Sequence, residues 1–184
     1  MNFQCETGFT LRGRSIPSTM LKKMDETSLS DDLSAKLEKD GYLLLRNVYD
    51  VNEVIEARRM ILKSLHEVGE VKEPYDSGIF SGDSNRRSIY PTTKDLGEFW
   101  RKISEMEELR RVINGKNIMR VMNSIFEEEA SHFSFAWLRA MVKGKASPVH
   151  VDHPYMNRGT DKLVTCWTPL SEISENEVTL YVMR

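Results

Sequence analysis

The hydrophobic period changes at Phe133, and that change limits the architectures open to the chain. Upstream, apolar residues recur at helical spacing. Asp50 and Glu53 form a capping-box-like pair at the head of a run in which Val51, Val54, Ile55, Ile61, Leu62 and Leu65 fall on one stripe. Leu96, Phe99, Trp100, Ile103 and Met106 make a second stripe, continued by Leu109, Val112 and Ile113 as far as the helix stop Asn114-Gly115. Ile118, Val121, Met122, Ile125 and Phe126 make a third, ended by the acidic residues 127–129. From Phe133 the alternation is that of a strand, with Phe133, Phe135 and Trp137 on one face and His132, Ser134, Ala136 and Leu138 on the other. Helices first and strands afterwards predict an α+β arrangement in which helices buttress an antiparallel sheet.

The entry to that domain is a helix, a glycine and a strand. Ser30 can cap, Asp31 and Asp32 suit a helix N-terminus, and Leu33 and Leu37 lie four apart on one face. Gly41 ends the helix, and 42–45 is a short apolar strand. Residues 1–27 show no helical or strand period and are expected to be a flexible leader, with the compact domain at 28–184. A net charge of -2 leaves no electrostatic footprint for nucleic acid. No apolar run approaches a membrane span, and the leader lacks the apolar core of a secretory signal. The two cysteines, Cys5 and Cys166, are too few for a disulfide framework or a cysteine zinc site, which favours a reducing, cytoplasmic setting.

The stretch that carries chemistry is 139–170, RAMVKGKASPVHVDHPYMNRGTDKLVTCWTPL. His150 and Asp152 are one residue apart, so an extended backbone turns both side chains to one face. An imidazole nitrogen and a carboxylate oxygen there are two thirds of the two-His-one-carboxylate triad that holds Fe(II) with positions left open. Chance alone gives about 0.2 such pairs in a chain of this composition, so the surroundings carry the weight. The pair follows a Gly-Lys-Ala-Ser-Pro loop and precedes a polar loop and a second strand-like run, 163–167, closed by Pro169. His153 would face away from the pair, and His132 is a third-ligand candidate on a neighbouring strand. His66 suits the C-terminal dipole of its helix better than a metal.

Taken with the leading KDGYLLLRN segment at 39–47 and Ser174-Glu175-Asn176 ahead of a further apolar run, these residues resemble the phytanoyl-CoA dioxygenase family of Fe(II)/2-oxoglutarate oxygenases over 29–184. The resemblance implies N-terminal helices packed on a double-stranded β-helix, a jelly-roll or cupin-like barrel. It implies Fe(II) on His150 and Asp152, 2-oxoglutarate as co-substrate, and hydroxylation of a small-molecule or lipid-derived substrate. Members continue into a Gly-Ser-His segment with the distal ligand, then an Arg that grips 2-oxoglutarate. This chain stops at Arg184, and Glu177-Val178 stands where the family has Gly, so a C-terminally truncated oxygenase with an incomplete barrel is expected.

Thr165 and Trp167 on the second strand are cofactor candidates and Tyr155 a substrate candidate, each equally open to ordinary packing. The long polar segment 67–93 is either a surface connection or a lid whose Arg86 or Arg87 meets an anionic substrate. An acyl-CoA would call on Arg86, Arg87, Lys143 and Lys145. An incomplete barrel leaves a sheet edge uncovered, and the β-prone run 178–183 makes self-association through it the expected partner mode. The alternative function is a catalytically inactive oxygenase-derived interaction or regulatory protein.

Overall fold

A computed structural model describes residues 6–11, 14–17, 22–134, 136–139, 150–156, 159–173, 180 and 182. Two short strands, β1 (Glu6–Leu11) and β2 (Arg14–Pro17), pair antiparallel with Leu11 opposite Arg14. Helix α1 (Leu33–Asp40) begins where Asp32 Oδ1 accepts from the Ala35 amide at 2.9 Å, so Asp32 rather than Ser30 is the cap. It ends at Gly41, whose φ of 74° favours a residue without Cβ and whose N–H reaches Leu37 O at 2.8 Å. Helix α2 (Val51–Glu67) starts on Asp50, whose carboxylate accepts from the Asn52 amide at 2.8 Å.

The connection after α2 contains a one-turn 3-10 helix (Tyr75–Ser77) and the short α3 (Arg86–Ile89). Helices α4 (Thr93–Ser104), α5 (Glu107–Ile113) and α6 (Lys116–Phe126) follow, and α7 (His153–Met156) is one turn. Gly115 lets α5 and α6 meet closely, since a Cβ there would lie 2.0 Å from Arg111 O.

Two apolar cores form among these helices. In the first, Ile61, Leu65, Val68 and Val71 meet Phe99, Ile103 and Leu109, so α2 packs on α4 and α5. In the second, Leu33 of α1 meets Ile118, Val121 and Ile125 of α6, with Leu43, Leu45, Val48 and Tyr49 against them. The stripe expected on α2 is rotated. Ala57, Ile61, Ser64 and Leu65 are buried, whereas Val51 and Ile55 are 68% and 57% exposed. At about 100° per residue, Ile55 lies roughly 200° round the helix from Ala57, on the opposite side.

The jelly-roll expectation is contradicted. Among the described residues the one sheet is the β1–β2 pair, joined by isolated bridges Thr27–Leu45 and Val71–Phe80. The helical stripes close on each other, not on a sheet. A strand is stable only when a neighbour takes its backbone hydrogen bonds, and the described residues of 133–139 and 163–167 have no such neighbour. Phe133 and Trp137, expected on one face of a strand, are 44% and 60% exposed, while Leu138, expected on the other, packs on the first core. The Ser134 carbonyl is satisfied by the Arg110 guanidinium at 2.5 Å. With no sheet in the described part of 133–173, the expected uncovered edge has no counterpart there; of 178–183 only Leu180 and Val182 are described.

Residues 25–27, placed in the leader by sequence, are attached to the 42–46 segment. The Thr27 amide donates to Leu44 O at 2.8 Å, Glu26 pairs with Arg46 at 3.0 Å, and Thr27 is buried. Strands β1 and β2 also lie within the stretch read as lacking strand period. The sequence carries a signal for them in Arg12-Gly13, two residues ending in glycine.

Candidate metal-ligand pair

His150 and Asp152 lie immediately before α7, and the Asp152 carbonyl accepts from the Tyr155 amide at 2.9 Å to open that single turn. Their functional atoms converge, with His150 Nε2 3.4 Å from Asp152 Oδ1. The other carboxylate oxygen, Oδ2, accepts from Thr165 Oγ1 at 3.1 Å. The aspartate side chain is 26% exposed and the imidazole 45%, an accessible pair rather than a buried one.

Thr165 arrives on a segment, 162–170, that runs over both cores and is held by side chains. Val164 packs against the second core and Leu170 against the first. Tyr49 Oη lies 2.8 Å from Thr168 Oγ1 and 3.6 Å from Cys166 Sγ. Burial raises the Tyr49 pKa well above its ordinary value, with the Cys166 thiol adding to the shift, so the phenol keeps its proton far into the alkaline range. Lys162 pairs with Glu128 at 2.7 Å, which raises the lysine pKa.

The donor set suits a divalent metal in part. Nitrogen and oxygen ligands about 2.0–2.2 Å from one ion at right angles stand about 3 Å apart, close to the separation seen. No group of three or more His, Cys, Asp or Glu that could hold a metal occurs among the described residues. The other three histidines face elsewhere: His66 contacts Val71 O at 2.8 Å and Glu73 at 3.0 Å, His132 contacts Phe133 O at 2.9 Å, and His153 faces Asp161 at 3.6 Å. The pair therefore sets one nitrogen and one oxygen donor side by side, and no third such donor joins them among the described residues.

The remaining candidates fall in different places. Tyr155 and Trp167 are 76% and 49% exposed. Arg87 is exposed on α3. Arg86 is not presented to solvent as an anion site. Its guanidinium pairs with Glu70 at 2.5 Å and lies 4.7 Å and 4.6 Å from the ring centroids of Phe99 and Trp100. Ser84 Oγ donates to the second Glu70 oxygen at 2.6 Å.

The same segment is knitted by Lys72 N to Ile79 O at 2.9 Å, Ser81 N to Glu70 O at 2.9 Å and Asn85 N to Val68 O at 2.8 Å. Arg58 of α2 donates to Asp76 O at 2.9 Å and Arg86 lies over Phe99 and Trp100 of α4, so residues 68–90 are fastened to both helices, with Arg86 as the clasp. Lys143 and Lys145 lie outside the described residues, as do Ser174, Glu175 and Asn176.

Among the described residues, two cavities lie away from the pair. An open groove of about 400 Å3 is lined by Asn114, Asn123, Glu129, Ser131 and His132, and a smaller one of about 130 Å3 by Ser64, Tyr90, Phe99 and Ile103. No protein-family model, curated protein or solved structure matches the chain.

Proposed function

We propose that this chain contributes His150 and Asp152 as two of the three protein ligands of a non-haem Fe(II)/2-oxoglutarate dioxygenase of the phytanoyl-CoA dioxygenase kind. The observation that carries the reading is the 3.4 Å convergence of His150 Nε2 and Asp152 Oδ1. A neutral nitrogen and an anionic oxygen on one side of the chain are the ligand types such a centre uses. The chemistry the ion supplies when bound with 2-oxoglutarate is oxidative decarboxylation coupled to hydroxylation of a C–H bond.

The third donor and the cation that grips 2-oxoglutarate are the parts of the family pattern that the residues of this chain do not match: all four histidines are described, and His150 alone stands beside Asp152. In this reading the exposed Tyr155 and Arg87 are the groups able to meet a small-molecule or lipid-derived substrate, and the exposed Trp167 the cofactor. No helix among the described residues is long and apolar enough to cross a membrane. The cytoplasmic setting in this reading draws on the two cysteines alone.

The alternative, a catalytically inactive oxygenase-derived interaction or regulatory protein, draws on the exposure of Trp137, Tyr155 and Trp167, side chains enriched in binding surfaces.

Anaerobic equilibrium dialysis against Fe(II) separates the residues. His150→Ala and Asp152→Ala are each expected to weaken binding by about tenfold or more, because each removes a direct ligand from a site with few. His132→Ala and His153→Ala should bind as the unaltered protein does. Equal affinities across all four variants would remove the pair from any metal role.

A further inference from the structure

Thr165, a cofactor candidate by sequence, has its hydroxyl against the ligand pair itself: it donates to Asp152 Oδ2, the carboxylate oxygen away from the imidazole. Oδ1 is the oxygen that stands beside His150 Nε2. A carboxylate rotates about its terminal torsion with a broad, two-fold preference, so an unrestrained Asp152 would spread its oxygens over many orientations. One hydrogen bond on Oδ2 restricts that rotation and leaves Oδ1 aimed beside the imidazole.

The hydroxyl is useful only if its own backbone is fixed, and 163–168 has no strand ladder to fix it. Side chains supply the restraint. Val164 is anchored in the second core immediately before Thr165, and Thr168 is tied to Tyr49 three residues after it. Tyr49 itself packs on that core and keeps its proton, so it remains able to hydrogen-bond through the neutral and mildly alkaline range. A line of contacts therefore runs from the helical core to the carboxylate.

We propose that Thr165 is the positioning residue of the metal pair, orienting Asp152 so that Oδ1 and His150 Nε2 face one divalent cation, and that Tyr49 holds Thr165 in place through Thr168. The proposal rests on the ligand reading of His150 and Asp152 and adds to it the residues that set its geometry. Outer hydrogen-bond partners of metal ligands commonly contribute tenfold to a hundredfold in affinity.

The test uses Thr165→Val, which keeps the shape and removes the hydroxyl, Thr165→Ser, which restores it, and Tyr49→Phe, which cuts the tether at a distance. Co(II) is titrated into each and followed by its visible absorption, with His150→Ala as the reference for loss of the pair. Thr165→Val should bind about tenfold more weakly, Thr165→Ser within about twofold of the unaltered protein, and Tyr49→Phe between them.

Hydrogen exchange of 150–156 in the metal-free proteins is the second readout. It should be faster in Thr165→Val and Tyr49→Phe and unchanged in Thr165→Ser. If Thr165→Val binds Co(II) normally while His150→Ala does not, the ligand reading stands and the positioning role is overturned. If no protein binds Co(II), the ligand reading falls, and the exchange data decide the contact alone: faster exchange in both variants supports the tether, and unchanged exchange overturns it.

Discussion

Replacing Arg86 by alanine is expected to destabilise the protein by about 3 kcal/mol in chemical denaturation. Removing one partner of a buried ion pair costs about 3–5 kcal/mol, because the other charge is left without compensation. Here the Arg86 and Glu70 side chains are 18% and 14% exposed, so the lower end of that range applies. The guanidinium also covers the faces of Phe99 and Trp100, a contact that alanine forfeits. Combining Glu70→Gln with Arg86→Met should recover more than half of the loss, since the stranded charge is removed and the apolar cover restored. A loss below about 1 kcal/mol for Arg86→Ala would mean that the clasp is not structural and would return Arg86 to the candidates for an anionic substrate.

Ile103→Ala is the second large effect, with an expected cost of about 3–4 kcal/mol from lost burial and the cavity left behind. Ile103 is 1% exposed and lies in the first core among Leu65, Phe99 and Leu109. Trp137→Ala, in the run expected to be a strand, should cost less than about 1 kcal/mol, because the ring is already 60% exposed. The contrast discriminates between architectures. A barrel packed beneath the helices would make Trp137 the more damaging of the two, given the larger area an aromatic ring buries.

The parts of this fold that sequence makes legible are those decided within one turn of chain. Asp50 caps α2 because its carboxylate reaches an amide two residues on, and Gly41 ends α1 because it alone takes a positive φ without steric cost. The closeness of His150 and Asp152 in sequence likewise keeps their side chains near each other, here at the head of α7 and not along a strand.

The parts that were not legible depend on partners far away in the chain. The alternation from Phe133 is a strand pattern only if a neighbouring strand exists, and the described residues give it Arg110 and an apolar contact at Leu138 in its place. Arg86 looked available in a polar, glycine-containing segment because nothing local reveals Glu70 beneath it, 16 residues earlier. The tether from Tyr49 to Thr168 spans 119 residues and joins two positions that share no sequence pattern. Even the rotation of α2 was recoverable only by treating Ala57 as the centre of the buried face instead of the larger Val51 and Ile55. Volume alone misled there.

The most direct measurement is anaerobic absorption spectroscopy of the whole chain with Fe(II) and 2-oxoglutarate, in parallel with His150→Ala. The account predicts a visible charge-transfer band, weak in affinity because two protein ligands hold the ion, that is lost in His150→Ala. A band that survives that substitution, or its absence from a folded sample at saturating Fe(II) and 2-oxoglutarate, would contradict the assignment of His150 and Asp152 to an oxygenase centre.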